Sequence, residues 1–272
     1  MRITCLIDNS VTFGSSLWGE HGLSFWIETP DGAVLWDTGA SGTVLAHNLD
    51  ALRLTGPIQA MALSHAHHDH TGGLVTALER FPGAPIYAHA ELFTERFSSR
   101  GGQVRSNGMK WTREELEART PLRLSAEPQE LLPGVRTTGS IAPRPYPLGG
   151  ADYLLVRREG QLMADDCADD LSLVLRVKGG IALLCGCCHA GLRNTLLTVR
   201  QQYTEPLAAI LGGTHLNAAS DDEIRALAAA LAEEGAPMLY INHCTGERAV
   251  AALRATFGER VRACPAGTTL AL

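Results

Sequence analysis

Short apolar runs rich in β-branched and aromatic residues recur along the chain, separated by turn signals. Residues 2–8, 23–29 and 33–36 have this character, with Pro30-Asp31-Gly32 between the last two, and predict three strands. Residues 44–53 predict a helix. Residues 58–64 form an apolar run ending at Ser64, the pattern of a buried strand. Gly72-Gly73 leads into a helix over 74–80, followed by a strand over 85–88 and a helix over 90–97. The pattern then breaks. Arg96, Arg100, Arg105, Lys110 and Arg113 fall between 96 and 113 with no acidic residue among them, and Gly101, Gly102 and Gly108 loosen the backbone. This predicts an insertion or lid near 96–134. Strands resume at 135–138, 153–157, 161–164, 171–178 and 181–187, with Lys178-Gly179-Gly180 as a hairpin turn. A helix over 190–202, a strand over 207–211, a helix over 220–234, a strand over 237–242, a helix over 246–257 and a strand over 268–271 complete the pattern.

Each half thus opens with strands and closes with strands alternating with helices. Two mixed sheets packed face to face, with helices outside, satisfy that order, an α+β sandwich. The 272 residues allow one large domain or two small ones. Hydrophobic residues at 45% and charged residues at 19% exclude a disordered chain. No apolar run approaches the length of a membrane span, and a net charge of −6 argues against general nucleic-acid binding. The first apolar stretch meets Asp8 too soon for a secretory signal, so a cytoplasmic protein with reduced cysteines is expected. The cysteines number seven, an odd count, and Cys185, Cys187 and Cys188 crowd together. Buried thiols or metal ligands are therefore expected rather than a disulfide framework. Residues 224–232 are apolar enough to pack on the sheet or on a partner, which leaves the oligomeric state open.

The densest chemistry lies in Ser64-His65-Ala66-His67-His68-Asp69-His70-Thr71-Gly72-Gly73, directly after a strand. Imidazole nitrogen and carboxylate oxygen are transition-metal ligands. Past a strand end the backbone curls, so residues 65 and 67 can share one ion while 69 and 70 face another. Three later histidines also stand where strands run out: His189 in Cys185-Gly186-Cys187-Cys188-His189, His215 in Gly212-Gly213-Thr214-His215, and His243 in Ile241-Asn242-His243-Cys244. His47, on a helix, and His89, with no glycine-rich turn, are placed outside the site.

The run His65-x-His67-x-Asp69-His70 resembles the metallo-β-lactamase superfamily. The resemblance implies an αβ/βα sandwich whose metal site, usually of two ions, lies along one edge. It implies mostly hydrolases, with a minority of oxidoreductases and transferases. By motif match His65 and His67 hold the first metal and Asp69 and His70 the second, while His68 is not a ligand. The usual mid-chain His and later bridging Asp are missing at Thr138-Gly139-Ser140 and Gly186-Cys187. His189 then stands in for the missing ligand and His243 fits the last one. His215 is a ligand or an outer donor with a catalytic part, and Cys187 a zinc ligand or a buried thiol. Asp37, in Leu35-Trp36-Asp37-Thr38-Gly39, supports the metal loop from behind. Leu6-Ile7-Asp8-Asn9, Glu20-His21-Gly22-Leu23-Ser24, Asp169-Asp170, Gly186 to Asn194 and His243 to Gly246 narrow the resemblance. Together they look like the branch named for 7,8-dihydropterin-6-methyl-4-(β-D-ribofuranosyl)aminobenzene 5′-phosphate synthase. It spans almost the whole chain, which implies a single domain over 1–272.

The leading expectation is a metal-dependent hydrolase that uses a metal-activated water on a small, anionic or phosphorylated molecule. Asp69 would orient the water and His215 would help polarise the electrophile. One or two zinc ions are expected, with iron or manganese as alternatives. The second expectation is a transferase condensing a pterin methyl diphosphate with ribofuranosylaminobenzene phosphate, with loss of pyrophosphate. The third is a non-haem iron oxidoreductase. Candidate substrate-binding residues are Asp8, Asn9 and His21 near the N-terminal strands, Arg105 and Lys110 in the basic stretch, and Arg193 and Asn194 at a helix start. Asp169 and Asp170 are read as capping a strand or approaching the metals. Neither a nucleic-acid partner nor a membrane is expected.

Overall fold

The computed structural model describes residues 1–149 and 153–272. In the first half, β1 (Arg2–Ile7), β2 (Ser24–Thr29) and β3 (Gly32–Trp36) form an antiparallel meander. They are followed by α1 (Gly42–Ala51), β4 (Ala60–Ala62), the short α2 (His68–Thr71), α3 (Leu74–Arg80) and β5 (Ile86–Ala88). The middle of the chain holds β6 (Arg96–Arg100), β7 (Gln103–Ser106), α4 (Arg113–Glu117), β8 (Leu122–Leu124), β9 (Glu130–Leu132), β10 (Val135–Thr137), β11 (Leu154–Arg158) and β12 (Gln161–Ala164). The second half runs β13 (Ser172–Val177), β14 (Gly180–Cys185), α5 (Leu192–Gln202), β15 (Leu207–Gly212), α6 (Asp221–Glu233), β16 (Met238–Ile241), α7 (Glu247–Phe257), β17 (Val261–Ala263) and β18 (Thr269–Ala271).

Two seven-stranded sheets result, in the orders β18-β1-β2-β3-β4-β5-β8 and β17-β16-β15-β14-β13-β10-β9. Each is antiparallel on one side and parallel on the other. The parallel strands β3, β4 and β5, and β14, β15 and β16, are the ones separated by helices. The pleat sorts their side chains. Val34 and Trp36 face the opposite sheet, where Leu173, Leu175, Leu184 and Leu211 meet them. Leu35 faces out and packs with Leu45 and Leu49 of α1 and Leu74 and Leu78 of α3. On the second sheet Leu183 and Ile210 face out toward Leu196, Leu227 and Leu253 of the three outer helices. The layers are helix, sheet, sheet, helix. The apolar stretch 224–232 lies in α6, where Ile224, Leu227 and Leu231 are buried against the sheet. Ser220 and Glu223 form its capping box, and Asp221 and Asp222 favour its positive end. No helix among the described residues is long and apolar enough to cross a membrane.

Two regions differ from expectation. Residues 90–97 are not a helix. Turns close at Leu92 and Thr94, and β6 begins at Arg96, paired with Val156. Phe93, Thr94 and Phe97 are poor helix formers, and burial of the Arg96 side chain between carboxylates decides for the sheet. The stretch 96–134 also divides. Its first part pairs with β11 to make a separate four-stranded sheet, β12-β11-β6-β7, while β8 and β9 join the two main sheets. The strands near 153–164 thus belong to this third sheet and not to the sandwich.

Candidate metal centre

The site forms where the parallel strands end. The loop after β4 carries His65 to His70, that after β14 carries Cys187 and His189, and those after β15 and β16 carry His215 and His243. Asp37 ends β3, and Asp8 and Asn9 end β1. Close loop contact needs glycine twice. A Cβ on Gly186 would lie 2.1 Å from Ser64 Oγ, and one on Gly213 would lie 2.6 Å from Cys244 Sγ. Asp37, His215 and His243 adopt left-handed backbone conformations, with φ of 56°, 47° and 51°, conformations held only where surrounding contacts enforce them.

Two groups of donors face one another. His65, His67 and His189 each offer a ring nitrogen, all within 4.8 Å of one another. His67 Nδ1 stands 3.1 Å from His189 Nε2. His65 Nε2 is buried with no hydrogen-bond partner among the described residues, an arrangement that is costly without an ion. In the second group Asp69 Oδ2 lies 3.3 Å from His21 Nε2, 3.4 Å from His243 Nε2 and 3.6 Å from His70 Nε2. The Cys187 thiol sits between the groups, 3.2 Å from His70 Nε2 and close to both His65 and His243. These nitrogen, oxygen and sulfur donors suit a divalent transition metal.

Each donor is aimed by a partner behind it. Asp37 Oδ2 meets His70 Nδ1 at 2.7 Å and accepts from Ser64 Oγ at 2.7 Å, while Oδ1 accepts from the Ser64 amide at 2.7 Å. Ser64 Oγ also meets His65 Nδ1 at 2.8 Å. Asn9 Oδ1 holds His243 Nδ1 at 2.9 Å, and Asp8 Oδ1 accepts from the His243 amide at 2.8 Å. The Ala66 amide donates to Asp169 Oδ2 at 2.7 Å, and the Ala190 amide to Asp170 Oδ2 at 2.8 Å.

Burial and neighbouring charge set the protonation states of the metal-free protein. Burial and the surrounding histidines hold His65 and His189 well below the ordinary imidazole value, with Arg96 adding to the effect on His65. Burial takes His67 down to about 3 and His215 to about 4. Burial also opposes charge on His70, but Asp37 and Asp69 outweigh it and raise that ring to about 9. Burial pushes Asp69 up, yet His70, His243 and His67 hold its carboxyl well below the usual range. Asp169 and Asp170 are raised by burial to about 6 and about 7.

A cavity of about 490 Å³ opens onto both groups. Of the candidate site residues, Asn9, His21, His67, Asp69, Cys187, His189, His215 and His243 line it, and His65 and His70 lie buried behind them. Others lie elsewhere. Asp8 is buried beneath His243, where it holds a backbone amide rather than facing substrate space. Arg105 does not line the cavity; it stands on β7 opposite Ser98, one strand further out, in an adjoining pocket that shares Ser98 and Arg100 with it. Lys110 Nζ reaches His68 Nε2 at 3.4 Å in another neighbouring pocket. Arg193 lies 3.6 Å over the Tyr146 ring in a second cavity that shares the His215 wall. Asn194 is fully buried and ties the Tyr146 and Ala190 backbones together. His47 stacks on Trp18, and His89 meets Ser140 Oγ; both are away from the donors. Ser98, Arg100, Asn107 and Tyr153 line the cavity from the third sheet and its hairpin, and Asn217 lines it from the loop after His215. None of these five stands out in the sequence, because the approach of the first four depends on the pairing of β6 with β11 and that of Asn217 on the packing of the loop after β15. Only the basic stretch around Arg100 carried a signal.

Residues 17–187, more than half of the chain, match the model of the metallo-β-lactamase superfamily. The chain is 27% identical over 261 residues to a 7,8-dihydropterin-6-methyl-4-(β-D-ribofuranosyl)-aminobenzene-5′-phosphate synthase of Methanocaldococcus jannaschii, covering 92% of this chain and 89% of that one. It is similar to the crystal structure of a metal-dependent hydrolase of the β-lactamase superfamily, with a TM-score of 0.86 and 30% identity, covering 100% of this chain and 99% of that chain. Zn²⁺-bound PqqB from Methylobacterium extorquens shares the fold at a TM-score of 0.57 and 15% identity, with 100% of both chains covered. With this fold and these strand-end donors, the chain belongs to the metallo-β-lactamase superfamily.

Proposed function

We propose that the protein is a metal-dependent hydrolase acting on a small anionic molecule. The convergence of two donor groups on one cavity carries this reading. His65, His67 and His189 would hold one divalent ion, and Asp69, His70 and His243, which meet at the Asp69 carboxylate, a second, with Cys187 available to either. Such ions supply Lewis acidity and bring the pKa of water toward neutrality. The chain's residues do the rest. Asp69 stays ionised, so its carboxylate accepts a hydrogen bond from the attacking water and orients it. His21, exposed beside Asp69, is placed to exchange a proton with solvent. His215 is neutral near pH 7 and can donate its ring N–H to charge developing on the electrophile. Arg100, stacked on Tyr153, is the one arginine or lysine among the described residues lining this cavity and would meet the anionic group.

The test is a panel of phosphate esters, diphosphates, carboxylic esters and lactones, assayed with the zinc- and manganese-loaded protein. His65→Ala and Asp69→Ala should lose both metal and turnover, and full turnover in either would reject the reading. Arg100→Gln should raise KM for charged substrates and leave neutral ones unchanged.

A transferase is the second reading, favoured by the length of the match to the synthase. The methyl carbon of a pterin methyl diphosphate would bond to the nitrogen of an aryl amine, ribofuranosylaminobenzene phosphate, as its C–O bond to the departing pyrophosphate breaks and the nitrogen gives up a proton. Pyrophosphate release that requires the amine selects this reading; release without it selects hydrolysis.

A further inference from the structure

We infer that Arg96 is a positioning residue that clamps the metal-binding loop through Asp169. It does not meet substrate, although it lies in the basic stretch that the sequence associates with anions. Its side chain is fully buried at the start of β6. Nη1 donates to the carbonyls of Glu91 at 3.2 Å and Thr94 at 3.0 Å, which fixes the guanidinium plane. Nη2 lies 2.8 Å from Asp169 Oδ1, and Nε lies 3.2 Å from Asp165 Oδ2. The other oxygen of Asp169 accepts from the amide of Ala66, the residue between His65 and His67. One carboxylate therefore joins the third sheet to the backbone that sets the spacing of two metal donors.

A second attachment holds the same loop. The Asn107 carbonyl accepts from the His68 amide at 2.8 Å, and the Asn107 amide donates back to the Arg96 carbonyl at 3.1 Å. The loop is thus gripped on both sides of His67 by one hairpin, which also carries Ser98 and Arg100 into the cavity. Arg96 is suited to this task because a planar fork can face two carboxylates and two carbonyls at once, which a lysine cannot do.

This rests on the metal-dependent reading, and direct measurement of metal binding separates the two. Zinc affinity is measured by chelator competition, and the cobalt-loaded protein by its visible spectrum, for Arg96→Gln, Asp169→Asn and Asp165→Asn. Partners behind metal ligands change affinity by about 10–100-fold, so Asp169→Asn and Arg96→Gln should weaken zinc by that factor and alter the cobalt spectrum. Asp165→Asn disturbs the same guanidinium but does not touch the loop, so its effect should stay under about threefold, below that range. Wild-type affinity in folded Asp169→Asn overturns the inference, as does equal weakening in all three. If Arg96→Gln does not fold, the contrast between Asp169→Asn and Asp165→Asn decides. Tight metal binding without turnover of any substrate would reject the hydrolase reading and leave the clamp standing.

Discussion

In the proposed centre His65, His67 and His189 make one half, and Asp69, His70 and His243 the other. Both halves draw on the loop after β4, yet their surroundings differ. The first is three buried imidazoles held neutral by desolvation and by one another. The second contains an ionised carboxylate, and a further carboxylate, Asp37, backs its His70. The first half is therefore ready to receive a cation without giving up a proton. The second stores a proton on His70 that a cation must displace. His70 alone departs, because Asp37 and Asp69 both face it; burial holds His243 low even beside Asp69.

Removing a ligand should break the comparison most severely. His189→Ala leaves the first half with two nitrogens, and its metal affinity should fall by more than the ~100-fold typical of losing an outer partner. Metal analysis after dialysis checks this, with the second half expected to retain its ion. Next in size is Asp37→Asn. It removes the charge behind His70 and should weaken the second half by about 10–100-fold, with a smaller loss in the first half, which Asp37 reaches only through Ser64 and His65. Equal losses in both halves, read by sequential metal titration, would show that they do not act separately.

Protonation sharpens the contrast. His70 sits near 9 in the folded metal-free protein, above its unfolded value. Its stabilising contribution is therefore complete below the unfolded value and fades as pH rises through 9. His67 has the opposite sign: its folded value near 3 means that stability is lost as pH falls below the ordinary imidazole range. For metal binding near pH 7, the second half should release about one proton and the first none, so second-half affinity should rise about tenfold per pH unit up to about 9. Calorimetry in buffers of different ionisation heat measures the proton count. The smallest effect is expected far from both halves. Ser220→Ala breaks the capping box of α6 and should cost about 1 kcal/mol in thermal or denaturant unfolding. Both metal affinities should stay unchanged.

The third sheet shows where sequence reading stopped. Strands near 153–157 and 161–164 were legible from their composition, and so was an unusual basic stretch around 96–113. That the two pair with each other was not legible, since nothing local in either names its partner. Arg96 is the sharpest case. In sequence it is one of five cations in 96–113, a stretch that holds no acid, and in the fold it is buried against Asp165 and Asp169. The expected helix over 90–97 failed for the same reason, because Arg96, Phe97 and Ser98 pair with β11, a long-range contact that a short helical pattern does not reveal.

From sequence alone came the alternation of strands and helices, the sandwich it implies, and the placement of His65, His67, Asp69, His70, His189, His215 and His243 at strand ends. These are local properties: side-chain period, turn chemistry and motif spacing act within a few residues. Only the tertiary structure decided which donors come together, that Asp8 and Asn9 hold His243, that Cys187 stands between the two donor groups, and that Arg100 lines the cavity while Arg105 lies one strand further out. Those outcomes depend on sheet pairing and loop packing between residues up to 235 positions apart, and on the desolvation and charge that such packing creates.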